Sequence, residues 1–213
     1  HTRYEVSNNA GQDICDIVNN EGFDFLLVGS GISMSDSPDD IAATRYRTSF
    51  YNRYFKRFKA PESWFYPGAL LKDKTKMFIA RSNCDVGVFI NRNFVKATNT
   101  LVVISSEEDL FLLDYTRTLL KATHGSVGIV AKMSTTTPGH DQIFKELWDF
   151  VSSIPQTQLL PDKDLTPGLF NSYNFMLIGY NTWNDVSEHR KEALQKMPST
   201  LILNKNKRSS LDN

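Results

Sequence analysis

Apolar residues in this chain gather in short unbroken runs, each closed by glycine or a polar turn. The runs are "FDFLLVG" (23–29), "DVGVFIN" (85–91), "TLVVISS" (100–106), "GSVGIVAKM" (125–133), "YNFMLIG" (173–179) and "STLILN" (199–204). Continuous runs, as opposed to strict alternation, suit strands covered on both faces. The stretches between them have helical spacing. "GQDICDIVNNEG" sets Ile14, Ile17 and Val18 on one face, and "HDQIFKELWDFVSS" does the same with Ile143, Leu147, Phe150 and Val151. "EEDLFLLDYTRTLLKAT" opens on Glu107, Glu108 and Asp109, which favour the positive end of a helix, and places Lys121 in its last turn. "KMFIARS" and "SEHRKEALQKM" read as helices leading into strands, "RYEVS" as a short strand, and the stretch before "YNFMLIG" as a loop rich in Pro, Asp and Lys. This rhythm predicts an α/β fold with mostly parallel, doubly wound sheets and helices on both faces.

Two of the runs are nearly the same phrase. Phe25 answers Phe175, Leu27 answers Leu177 and Gly29 answers Gly179. The recurrence predicts two related units, 1–98 and 99–213, with an insertion at 32–74 in the first. The second unit starts one strand-helix-strand earlier, so the first reads as N-terminally truncated and the chain, opening on His1, as a piece of something longer. The paired residues are expected at superposable positions on neighbouring central strands.

Composition narrows the function. With 24 acidic and 24 basic residues in 213, no overall field attracts nucleic acid or an anionic membrane. No apolar run approaches the roughly 20 residues of a membrane helix. Cys15 and Cys84 stand among apolar neighbours without metal-ligand spacing, which favours buried, reduced thiols and an intracellular setting; no Asn-x-Ser/Thr acceptor opposes this.

In parallel sheets ligands collect beyond the carboxyl ends of strands, where "GSGIS" and "GYNTW" fall. Gly29, Ser30 and Gly31 resemble the opening of a phosphate loop and are the candidate anion or nucleotide site. No glycine follows until Gly68, so neither a GxGxxG nor a Walker pattern is completed, and a tight strand exit explains the same residues. No catalytic or metal site emerges. His1, His124, His140 and His189 form no HExxH, and no nucleophile elbow is present, which weighs against a hydrolase.

One segment is strongly biased. Between Arg45 and Lys59 six cations and no acid alternate with six aromatics, and Tyr46, Phe50, Tyr54 and Phe58 step by four. Arg53, Lys56, Arg57 and Lys59 are candidate contacts for a partner or for anionic lipid headgroups. Aromatics packing back on the domain with solvated cations explain the segment equally well. RNA or single-stranded DNA is a weaker reading without net basicity.

Taken in order, "DICDIVNNEGFDFLLVGSG", "NCDVGVFINRNF" and "TLVVISSEEDLFLLDYTRTLL" resemble the cytosolic C-terminal region of the plant and fungal cation/proton exchangers, most closely the yeast potassium/proton branch. The resemblance covers most of the chain. It implies two degenerate universal-stress-protein-like units following a membrane transporter, with no catalysis and no cofactor of their own. Stress proteins that bind ATP have G-x2-G-x9-G-[ST] after the corresponding strand, and Gly29-Ser30-Gly31-Ile32 departs from it. The implied partners are the antiporter's transmembrane domain and a second copy, at the cytosolic face of a Golgi or endosomal membrane. A free-standing nucleotide-binding stress protein is the alternative.

Overall fold

The computed structural model describes residues 10–29, 76–132, 140–161, 165–189 and 196–206. Helix α1 (Ala10–Glu21) leads to strand β1 (Phe25–Gly29), and helical residues 76–81, here α2, lead to β2 (Asp85–Ile90). Strand β3 (Asn99–Ile104), a 3-10 turn (Glu107–Asp109), α3 (Leu112–Thr123), β4 (Ser126–Ala131) and α4 (His140–Ser153) follow. The chain ends in β5 (Thr157–Pro161), α5 (Pro167–Phe170), β6 (Phe175–Gly179), α6 (Tyr180–His189) and β7 (Ser199–Asn204).

These strands form one seven-stranded sheet in the order β1-β2-β7-β6-β3-β4-β5. Every neighbouring pair is parallel except β2 with β7. The fold is the expected doubly wound, mostly parallel α/β class, and a single sheet runs through both stretches. Phe25 and Phe175 do not sit on neighbouring central strands: β1 is the last described strand at one edge, and β2 and β7 separate it from β6. The antiparallel seam causes this, because it joins the two stretches through their last strands.

Successive apolar residues divide between the faces. On one, Val102, Ile104, Ile129, Leu177 and Leu203 pack against Leu112, Leu120, Ile143, Leu147 and Phe150 of α3 and α4. On the other, Leu101, Val103, Met176, Ile178 and Ile202 meet Phe170, Trp183 and Val186 of α5 and α6. That face continues over Leu26 and Val86, where Cys15 and Val18 of α1 and Phe78 of α2 cover the sheet. Each fully buried side chain contributes about 1.5–3 kcal/mol, so the continuous runs supply most of the cohesion.

Two elements differ from the sequence reading. Strand β5 falls inside the expected loop; its Pro161 removes a donor where the strand ends at the sheet edge. Helix α6 starts directly at Tyr180, well before Ser187, because Trp183 and Val186 supply its inward face. "RYEVS", Ser30, Gly31 and the insertion at 32–74 lie outside the described residues. No described helix is long and apolar enough to cross a membrane.

A polar clasp ties β2 to the other end of the chain. Asp85 accepts hydrogen bonds from Tyr115 Oη at 2.8 Å and from the Asn206 backbone N–H at 2.7 Å, and Asn206 Nδ2 donates to the Ser82 carbonyl at 2.9 Å. Burial first, and then this bond to Asp85, push the Tyr115 phenol upward from its ordinary value.

Candidate functional site

The carboxyl ends of β3, β6 and β7 open onto one cleft of about 720 Å³. Beneath it, Ser105 and Ser106 leave β3, the 3-10 turn brings Asp109 inward, and Gly179 ends β6 directly before the first turn of α6. A helix N-terminus after a glycine is a position where anions are held in α/β folds, through free N–H groups and the helix dipole.

Here that position is filled from within. The Asp109 carboxylate is 2% exposed and lies against Gly179, so closely that a methyl group on Gly179 would overlap its Oδ1. Its Oδ2 accepts from the Ser105 backbone N–H at 2.9 Å, Ser105 Oγ at 3.2 Å, the Ser106 N–H at 3.3 Å and Thr182 Oγ1 at 2.6 Å. Ser105 Oγ and Thr182 Oγ1 also contact each other. The carboxylate thus draws on the backbone at the end of β3 and on one hydroxyl of the first turn of α6.

Among the described residues, Glu107, Glu108 and Asp114 line the mouth of the cleft with Lys205 as the one cation, and Asn181 Nδ2 donates to Glu108 Oε2 at 2.7 Å, bridging the ends of β3 and β6. The glycine turn at "GYNTW" therefore has a buried carboxylate of the same chain packed against it.

Of the other expected site residues, Gly29 ends β1 on the surface, and a methyl group there would meet nothing within 4 Å. Close packing does not explain this glycine. Ser30, Gly31, Arg53, Lys56, Arg57 and Lys59 lie outside the described residues. Cys15 and Cys84 are buried, as expected, and burial, then Asp85, pushes the Cys84 thiol upward. Sequence reasoning placed Asp109 at a helix N-terminus, where it stands as the capping-box acid of the 3-10 turn, and missed its contacts with Ser105, Gly179 and Thr182. The available signal was the pair of serines directly after an apolar strand, three residues before an acid.

No protein-family model matches the chain, and no curated protein matches it. Among solved structures, the fold is similar to a universal stress protein from Archaeoglobus fulgidus, with a TM-score of 0.50 and 11% identity over 92% of this chain. The chain spans 66% of that protein's length. A functionally unknown protein from Pseudomonas aeruginosa PAO1 superposes with a TM-score of 0.46 and 10% identity over 94% of this chain and 69% of the other. The likeness to the universal stress protein is one of fold.

Proposed function

We propose that this chain is a non-catalytic regulatory and assembly domain of a monovalent-cation (potassium)/proton antiporter, acting through contact with its transporter and not through nucleotide chemistry. The single observation that carries the non-nucleotide part is the Asp109 carboxylate seated against Gly179 at the start of α6. A bound triphosphate there would have to expel a buried, multiply hydrogen-bonded carboxylate and then sit beside Glu107, Glu108 and Asp114. The antiporter part is supported by the ordered resemblance of three segments and by a fold that suits the stress-protein-like units of that family. On this reading the domain is a homodimer at the cytosolic face of a Golgi or endosomal membrane, and Arg53, Lys56, Arg57 and Lys59 meet anionic headgroups or the transporter itself. Tethering makes such weak attraction effective, because the local concentration is high.

The likeness to a stress protein supports a second reading, a free-standing nucleotide-binding protein, with Gly29 the remaining candidate anchor. Two measurements separate the readings. Calorimetry of the isolated chain with ATP is expected to show no saturable binding; a low-micromolar site favours the stress protein. Replacing Arg53, Lys56, Arg57 and Lys59 with Ser in the full polypeptide is expected to change ion flux while leaving the melting temperature of the isolated chain unchanged. Normal flux with a large loss of stability would make the segment structural packing.

A further inference from the structure

The same strand phrase is buried at one place in the sheet and bare at another. Phe175 and Leu177 on β6 are 5% and 2% exposed, whereas Phe25 and Leu27 on β1 are 36% and 57% exposed. Backbone pairing makes these positions equivalent. Leu27 lies beside Gly87 and Leu177 beside Leu201, so β2 and β7 correspond at a spacing of 114, which is 201 − 87. Exchanging equivalents across the seam turns Val86–Asn204 into Thr200–Ile90 and Gly87–Leu203 into Leu201–Phe89, both of them observed pairs. Val88–Ile202 maps onto itself. The pairing thus has a two-fold axis through Val88 and Ile202 that relates β1 to β6.

On β6, strand β3 occupies the edge away from the seam, and α3 belongs to the layer covering Phe175 and Leu177. On β1, no described strand pairs with the corresponding edge, and of α3 only Tyr115 approaches, its ring 6.0 Å from that of Phe25. Phe25 and Leu27 close over Gly87, and half-buried Phe89, with Phe94 edge-on to it at 5.5 Å, borders them on the core side.

We infer that this flank is the docking surface for a strand-helix segment lying outside His1–Asn213, the counterpart of β3 and α3. Its strand runs parallel to β1 along the edge that no described strand pairs, while its amphipathic helix lies over Phe25 and Leu27. The helix chemistry follows that of α3, which buries Leu112, Leu113 and Leu120. The source is the parent polypeptide itself, and that assignment rests on the antiporter reading.

Hydrogen exchange on the 213-residue chain and on the polypeptide as the cell makes it, each with and without Leu27→Asp, tests this. The β1 amides are expected to exchange at least about tenfold more slowly in the cellular polypeptide, with Leu27→Asp abolishing the difference and β6 unchanged. Equal β1 exchange in the two forms overturns the inference. So does a concentration-dependent dimer of the 213-residue chain that Leu27→Asp dissolves, because the surface then belongs to a second copy. Slowing by a parent sequence without membrane spans supports docking and sinks only the antiporter reading. A transporter parent without slowing sinks only docking.

Discussion

At the scale of single residues, Asp109 and Gly179 form one unit. Asp109→Ala leaves the Ser105 and Ser106 N–H groups and Thr182 without their acceptor and is expected to cost about 1–3 kcal/mol in urea unfolding. Gly179→Ala drives a methyl group into the same carboxylate and is expected to cost a similar amount by overpacking. The double variant should be more stable than the sum predicts by about 1 kcal/mol, since truncating Asp109 removes the clash; strict additivity would mean the two do not touch. Tyr115 gives a pH dependence. Its folded phenol is raised above the ordinary value of 10.0, so its stabilisation is complete below pH 10 and falls as pH rises further, where the unfolded chain releases the proton first. Tyr115→Phe is expected to cost about 1 kcal/mol at pH 8, a deficit that shrinks above pH 10. Parallel stability-pH curves for the two proteins would show that burial and Asp85 leave this phenol untouched.

At the scale of elements, β1 and β6 present matching leucines in contrasting surroundings. Leu177 is enclosed beneath α3 and α4, and Leu177→Ala should open a cavity costing about 2–5 kcal/mol. Leu27 faces solvent in this chain, and Leu27→Ala is expected to cost under about 1 kcal/mol. Chemical denaturation of the pair checks both; similar losses would mean that β1 is already covered in solution. The contrast arises from both strands and layers, since β6 lies between β3 and β7 beneath α3, whereas β1 pairs with β2 alone among the described strands.

At the scale of the molecule, the β2–β7 seam and the Asp85 clasp with Tyr115 and Asn206 join the early and late parts of the chain in one sheet. A sheet continuous across such a seam melts as a unit when neither side is stable alone. Thiol labelling of Cys15 and Cys84, which lie on the β1 side, should therefore share its urea midpoint with hydrogen exchange at β3 and β4 on the far side. Two separated midpoints would show that the halves fold independently and only touch at the seam.

The sequence by itself determined the class of fold, because unbroken apolar runs admit few alternatives to strands covered on both faces, and helical spacing between them sets the crossovers. The runs around Phe25, Val88, Leu101, Ile129, Phe175 and Ile202 all became strands, and Cys15 and Cys84 became buried. Strand β5 and the early start of α6 were not legible, since "TQLLP" and "GYNTW" lack strong periodicity and take their structure from the sheet they join. Only the tertiary structure decided that β2 and β7 meet antiparallel, because apolar pattern specifies a face and not a neighbour. The same holds for the candidate site. Asp109 reads along the chain as an acid at a helix start, and its bonds to Ser105 and Ser106 are of that local kind. Its contacts with Gly179 and Thr182, about seventy positions away, are a property of the fold, and no local spacing encodes them.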